Sequence, residues 1–136
     1  MLFLGIASGC SEQPKTYLVH GMVVFPDGKP LTKGTVEFEV TASSKPITAT
    51  GAIGLDGTFE LGTYAAKDGA IVGQHRVVVI ADHMIGTGEE RPEALPPPVL
   101  DPKYHDYKTS GLTFTVKPEV NNILIEVAPP PAKSRE

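Results

Sequence analysis

The sequence has no tryptophan, only one cysteine, and no excess of basic residues. The formal net charge of -4 at pH 7 argues against a nucleic-acid partner, because binding to phosphates normally requires a basic face. A single cysteine leaves no disulfide partner within the chain, so the thiol needs another explanation in an exported protein. These features set aside nucleic-acid binding and direct attention to the cysteine.

The composition is that of a folded, turn-rich protein. A chain of 136 residues fits one domain, and 40% hydrophobic with 21% charged residues is ordinary globular usage. Fourteen glycines and thirteen prolines are costly inside helices. We therefore expect an all-β domain.

The N-terminus has the pattern of an export signal. The apolar stretch Leu2 to Ala7 is too short to span a bilayer and ends at Ser8-Gly9-Cys10, after which the chain becomes polar. The segment from Ile6 to Cys10 resembles the bacterial lipobox, which implies cleavage before Cys10 and a diacylglycerol on its thiol. We expect a signal peptide over residues 1–9 and a lipidated linker over 10–16.

The lipobox match departs from the usual pattern in two ways, and both are consistent with a true start codon further upstream. No Lys or Arg precedes Cys10, and the apolar run is short. The alternative is a free thiol in a frayed N-terminus. The expected location is therefore the bacterial cell envelope, with the protein held on a membrane through its N-terminal lipid.

Residues 17–127 predict a β-sandwich, because short alternating segments recur between turn signals. Val36, Phe38 and Val40 alternate with polar residues and should face a core. Asp56-Gly57 predicts a hairpin, and residues 117–121 predict a turn within a final strand pair. Seven strands are predicted: Tyr17–Phe25, Thr35–Thr41, Ile47–Gly54, Thr58–Leu61, Gly73–Asp82, Leu112–Val116 and Asn122–Val127.

Two regions fall outside this strand pattern. Residues 83–111 form a long proline-rich loop, which we expect to cross the sandwich as a strap, since loops of this length in compact domains tend to be functional or mobile. Residues 128–136 begin with prolines and end with charges, so a disordered tail is expected.

Several short motifs follow one another along the chain, namely His20-Gly21, Gly28-Lys29-Pro30, Asp56-Gly57-Thr58-Phe59, Asp68-Gly69 and Gly73-Gln74-His75. Their order resembles the carboxypeptidase regulatory-like, transthyretin-like domain of bacterial secreted lipoproteins. The resemblance implies a seven-stranded antiparallel Greek-key sandwich that acts as an accessory or display module without catalysis. The enzymatic relatives of transthyretin end in Tyr-Arg-Gly-Ser, whereas this chain ends in Ser134-Arg135-Glu136, so their hydrolase activity is not implied.

No catalytic, metal or cofactor site is predicted. The four histidines, His20, His75, His83 and His105, lack metal-ligand spacing. His75 alternates in phase with Val77, which favours a sheet histidine with satisfied hydrogen bonds. Ser110 lies in no nucleophile motif and is expected to help the chain turn into the next strand. The Asp-Gly pairs are interpreted as turns and not as calcium loops.

Tyr104, His105 and Tyr107 are the candidate ligand-binding residues. Tyrosine rings offer a flat contact surface to a sugar or a peptide. The alternative is that both tyrosines clamp the long loop onto the sheet. The leading function is a non-enzymatic, lipid-anchored envelope module with a structural or protein-interaction role, and the alternative is an extracellular carbohydrate-binding module. A hydrolase or metalloenzyme would require carboxylates that converge on His105.

Overall fold

The computed structural model describes residues 14–40, 45–81 and 100–130. Within these ranges the regular structure is nine β-strands and a 3₁₀ helix, Pro102–His105, so the predicted all-β class is confirmed. No helix in this part of the chain is long and apolar enough to cross a bilayer. The strands are β1 Thr16–Tyr17, β2 Val19–Val24, β3 Thr35–Val40, β4 Thr48–Ala52, β5 Thr58–Glu60, β6 Ala70–Ile71, β7 Gly73–Ile80, β8 Leu112–Val116 and β9 Asn121–Glu126.

Several predictions fall on parts of the chain that are not described. Cys10, the leader and the linker up to residue 13 lie outside the described residues, as do His83 and the loop through residue 99. Residues 131–136 of the predicted tail lie outside them as well. The anchoring predictions therefore stay predictions.

Two sheets stack to form the sandwich. One has the strand order β5-β2-β9 and the other β4-β3-β7-β8, while β1 and β6 form a separate two-stranded ribbon. The inward faces follow the predicted alternation, because Val36 and Phe38 are fully buried and Val40 nearly so. Phe59 and Leu61 are also buried, from the opposite sheet.

The predicted strand count and purely antiparallel order need correction. The described residues form nine strands rather than seven, and β9 runs parallel to β2, with Val19 opposite Asn121 and Val24 opposite Glu126. Part of the difference arises because the first predicted strand is divided between β1, which pairs with β6, and β2, which pairs with β5 and β9. The chain reaches β9 from β8 in the other sheet and not through a hairpin with β2, so no tight turn requires β2 and β9 to be antiparallel.

One predicted strand pair forms part of a hairpin and the other forms none. The Asp56-Gly57 turn does form, since Asp56 accepts hydrogen bonds from the Thr58 backbone N–H at 3.1 Å and hydroxyl at 2.7 Å. The segments on either side stay antiparallel, because the Gly54 N–H donates to the Thr58 carbonyl at 2.9 Å and Thr50 bridges to Gly62. Their longer ladders are with other strands, β4 with β3 and β5 with β2, so the hairpin joins the edges of the two sheets. β8 and β9 lie in different sheets and form no hairpin.

A glycine in β2 makes room for the side chains of the two neighbouring strands of its own sheet. A Cβ on Gly21 would lie 2.2 Å from the Phe59 Cζ and 2.9 Å from the Ile123 Cγ1. The Phe59 ring thus fills the space that a side chain at position 21 would need. Only glycine leaves that space open on the inward face of a strand.

The second half of the predicted loop is ordered against the sandwich. Leu100, Tyr104 and Ser110 are buried, and the 3₁₀ helix packs on β7. Asp101 begins this helix by accepting a hydrogen bond from the Lys103 N–H at 3.0 Å. Its backbone N–H donates to the Ala128 carbonyl at 3.1 Å, so regular contacts extend into the first residue of the predicted tail.

Candidate functional site

Tyr104 belongs to the core rather than to an exposed surface. Its side chain is only 6% exposed, and its hydroxyl accepts a hydrogen bond from the Ala128 backbone N–H at 3.1 Å. The ring joins the buried cluster between the sheets. Tyr104 therefore holds the 3₁₀ helix against the end of β9. This is the structural role that the sequence suggested as the alternative to ligand binding.

Tyr107 lies on the outer face of the four-stranded sheet. Its ring centre is 4.9 Å from the Arg76 Cζ, and Arg76 forms an ion pair with Glu39 on the neighbouring strand β3. Burial raises the pKa of the Tyr107 hydroxyl, and the nearby carboxylates of Glu37 and Glu39 raise it further. Tyr107 thus also ties its loop to the sheet, through a cation–π contact.

The three histidines within the described residues do not form a common site. His105 is exposed at the end of the 3₁₀ helix, while His75 is buried and its Nε2 lies 2.9 Å from the Ile71 carbonyl oxygen. The His75 Nδ1 is buried without a hydrogen-bond partner, so the prediction of a satisfied sheet histidine holds for the burial and for Nε2 but is wrong for Nδ1. Burial lowers the pKa of His75. Within the described residues no three His, Cys, Asp or Glu side chains are grouped to hold a metal ion. Tyr104, His105 and Tyr107 therefore lie in three different environments, which are the core, the solvent and the outer face of the four-stranded sheet.

Ser110 has the structural role that was predicted for it. The side chain is buried, and its hydroxyl donates to the Val77 carbonyl at 2.5 Å. The same oxygen accepts from the Leu112 backbone N–H at 3.2 Å. Ser110 therefore directs the chain into β8.

A concave surface lies elsewhere, along the edge where β4 adjoins β5 and over the outer face of the three-stranded sheet. A hollow of about 450 Å³ lies between β4 and the loop 63–67, and it adjoins a second of about 550 Å³ over β2 and β5. A third of about 390 Å³ lies over β2 and β9. Glu60 and Lys67 line the first two hollows, and His20 lines the second and third. We refer to the three adjoining hollows as the trough.

Charged groups meet at the centre of the trough. The register of β2 and β5 places His20 directly opposite Glu60, and the His20 Nδ1 lies 3.0 Å from the Glu60 Oε2. The Lys67 Nζ lies 3.8 Å from the Glu60 Oε1. The His20 and Glu60 side chains are 39% and 40% exposed, so solvent screens the interaction between them. Because only its Nδ1 contacts Glu60, His20 has a second ring nitrogen, Nε2, that can meet a ligand.

A loop held by Asp68 presents Tyr64 and Lys67 to the trough. The Asp68 carboxylate accepts hydrogen bonds from the backbone N–H groups of Thr63 at 2.6 Å and of Tyr64 and Ala65 at 3.1 Å each. Lys67 has a left-handed backbone with φ 63°. Three hydrogen bonds to one carboxylate set the loop conformation without a strand or helix. The backbone that carries the 40%-exposed Tyr64 thus has a fixed position.

This arrangement suits recognition of a small polar ligand by side chains. The backbone groups beneath the first hollow are already paired, because Thr50 and Gly62 exchange hydrogen bonds of 3.0 and 2.9 Å. A ligand would therefore meet an aromatic ring, a carboxylate, an ammonium group and an imidazole. These are groups that orient ligands in shallow protein sites.

The sequence alone did not identify this site. His20 was considered only as a metal ligand, Asp68-Gly69 only as a turn, and Glu60, Tyr64 and Lys67 were not singled out. One available signal was that His20 is out of phase with the buried residues of its strand, which places it on the outer face. Its position beside Glu60 depends on strand register, which no local motif reports.

Comparisons with known proteins show no family. No protein-family model matches the chain, and no curated protein matches it. Among solved structures the chain is similar to the major plantain pollen allergen Pla l 1, with 13% identity, a TM-score of 0.43, and coverage of 88% of this chain and 99% of that one. A likeness this weak says nothing about function. The resemblance to carboxypeptidase regulatory-like domains stays a prediction.

Proposed function

We propose that this chain is a non-catalytic binding module, held on a bacterial membrane by a lipid on Cys10, that recognises another component of the cell envelope. The observation that carries the binding role is the trough. Its ring and charged groups stand on a rigid sandwich and on a loop fixed by Asp68. Binding residues are commonly carried by loops that a rigid scaffold positions.

The anchoring part rests on the pattern that ends at Cys10. Each buried methylene of an acyl chain contributes about 0.8 kcal/mol, so a multiply acylated cysteine holds a folded domain firmly at a membrane surface. The first described residue, Pro14, follows Cys10 closely, and β1 begins at Thr16. The sandwich would therefore lie close to the membrane.

Metabolic labelling with an alkyne analogue of palmitate tests the anchor. The full-length protein should incorporate the label, and the Cys10→Ala variant should not. The lipidated form should also partition with membranes, while the variant stays in the aqueous phase. An unlabelled wild-type protein whose Cys10 thiol reacts with maleimide would refute the anchoring proposal.

Two partner classes were expected, and each has a surface in the trough. A protein partner would contact the third hollow, where Leu124 is 65% exposed beside Met22. A carbohydrate would use the first two hollows, where Tyr64, Glu60 and Lys67 lie. The mixture of one ring with polar groups favours the carbohydrate.

Site-specific cross-linking tests the binding role independently of the anchor. A photoreactive amino acid at Ala66, which lines the first hollow, should give an adduct with an envelope component in living cells, and the same group at Leu55, an 87%-exposed turn residue, should not. The adduct should decrease when Tyr64 is changed to Ala. Equal adducts from both positions would contradict a binding role for the trough.

A further inference from the structure

We infer that the trough binds an oligosaccharide, with one pyranose ring stacked on Tyr64 and its hydroxyl groups bound by Glu60, Lys67 and His20. This inference rests on the proposed binding role and names the ligand class of that site. Four features of the trough carry it: the exposed ring, the polar groups around it, the paired backbone beneath it, and its length.

The exposed ring provides an apolar surface of the right kind. Tyr64 is 40% exposed and lines a hollow whose other residues include the exposed alanines Ala52, Ala65 and Ala66. Small side chains leave room for a flat ligand beside the ring. The C–H face of a pyranose is flat and weakly polarised positive, so it complements the negative face of an aromatic ring.

The polar groups of the trough can form hydrogen bonds with the hydroxyl groups around a sugar ring. Every sugar hydroxyl both donates and accepts hydrogen bonds, and the trough offers both functions. The Glu60 carboxylate accepts, the Lys67 ammonium donates, and the His20 Nε2 can do either according to its tautomer. Since the His20 Nδ1 already lies 3.0 Å from Glu60, these two groups are positioned before a ligand arrives, which lowers the entropic cost of binding.

The backbone of the first hollow disfavours an extended peptide there. Peptides that add to a sheet need free N–H and C=O groups along a strand edge. At this edge Thr50 and Gly62 pair with each other, with hydrogen bonds of 3.0 and 2.9 Å. A ligand in the first hollow must then be recognised by side chains, as a sugar would be.

The length of the trough points to more than one sugar unit. It crosses β5, β2 and β9, which are adjacent strands. The two spacings between these three strands, each about 4.8 Å, extend the trough by about 10 Å beyond the hollow that Tyr64 lines. The second and third hollows, which share His20, would hold further rings. Affinity should therefore rise from a monosaccharide to a trisaccharide.

Titration of the isotopically labelled full-length protein in detergent, followed by NMR, tests this inference. The probes are maltotriose, the trimer of N-acetylglucosamine and trigalacturonate, each beside its monosaccharide. At least one trimer should bind with a dissociation constant of about 1 mM or lower and shift amides of residues 60–67. The corresponding monosaccharide should bind more weakly.

Variants of Tyr64 separate ring stacking from other effects. Tyr64→Ala should weaken binding by about tenfold, because stacking contributes up to about 1.5 kcal/mol beyond buried area. Tyr64→Phe keeps the ring and should bind within about twofold of wild type, as should Leu55→Ala. Circular dichroism before titration shows that each variant is folded.

Two results of the titrations would overturn the inference. One is that no trimer binds below about 10 mM, and the other is that Tyr64→Ala binds as tightly as wild type. The palmitate label and the cross-link at Ala66 are measured independently of the added sugars, so a failure of sugar binding can be distinguished from a failure of the proposed function. A third result, a cross-linked adduct that protease digests to a peptide, would identify a protein partner instead and would also overturn the inference.

Discussion

Replacing Gly21 with alanine should destabilise the sandwich strongly. The new methyl carbon would lie 2.2 Å from the Phe59 Cζ, 2.5 Å from its Cε2 and 2.9 Å from the Ile123 Cγ1. Carbon atoms pack at about 3.5–4.0 Å, so the Phe59 ring would have to move by more than 1 Å. Phe59 is 3% exposed and has little room to move. Overpacking of this kind costs about 1–3 kcal/mol, and three overlaps place Gly21→Ala near the upper end.

Thermal and urea unfolding followed by far-UV circular dichroism measures this cost, since the chain has no tryptophan for fluorescence. A loss of about 3 kcal/mol should lower the melting temperature by roughly 10 °C. The matched control is Gly54→Ala, where the nearest atom to the new Cβ is the Asp56 Oδ1 at an ordinary 3.4 Å. That variant should be neutral or more stable by up to about 1 kcal/mol, because alanine restricts the unfolded chain.

A second substitution tests whether Phe59 causes the cost. In the Phe59→Leu background the ring is absent, so Gly21→Ala should cost at least about 1 kcal/mol less than in the wild type. Phe59→Leu alone should cost roughly 1–2 kcal/mol through lost burial. A Gly21→Ala variant as stable as the wild type, or one whose cost is unchanged by Phe59→Leu, would refute the packing described for these residues.

Three further predictions concern buried polar groups and the binding loop. Burial lowers the pKa of His75 in the fold, so the unfolded chain binds a proton that the folded chain does not. The free energy of unfolding should therefore have its full value above about pH 6.5. Below that pH it should fall by up to about 1.4 kcal/mol per pH unit, until the folded His75 also binds a proton. Ser110→Ala should cost about 1–3 kcal/mol, because it leaves the buried Val77 carbonyl without its donor. Asp68→Ala should leave three backbone N–H groups without their acceptor, raise amide exchange in residues 63–65, and weaken ligand binding in the trough.

Each of these has its own control. Urea unfolding at pH 5.5 and 7.5 should show a smaller pH dependence for His75→Gln than for His105→Gln, and equal dependence would contradict the role of His75. Ser110→Thr keeps the donor and should recover part of the stability lost in Ser110→Ala. Unchanged amide exchange in Asp68→Ala, with Asp27→Ala measured beside it, would show that the carboxylate does not hold the loop.

Local patterns in the sequence determined the class of the fold and the inward residues. The alternation of Val36, Phe38 and Val40 predicted a half-buried strand, and the structure buries all three. The phase of His75 predicted a sheet histidine, and Ser110 was expected to turn the chain into β8. These predictions succeeded because side-chain alternation and turn chemistry operate over a few neighbouring residues.

Pairings between distant segments could be decided only by the tertiary structure. The turn at Asp56-Gly57 forms as the sequence indicates, yet the strands on either side join different sheets. Similarly, Tyr104 and Tyr107 are three residues apart but face the core and the outer surface of a sheet. A turn motif specifies a reversal of direction, whereas burial of both inward faces decides which strand each segment pairs with.

The sequence by itself determined that this chain folds as an all-β domain and which residues of its strands face inward. It could not place His20 beside Glu60, or Gly21 beneath the Phe59 ring, because both contacts depend on the register between β2 and β5. Shifting that register by one residue would send every side chain of the strand to the other face. Register is chosen by the packing of the whole core, and the trough exists only once that packing is complete.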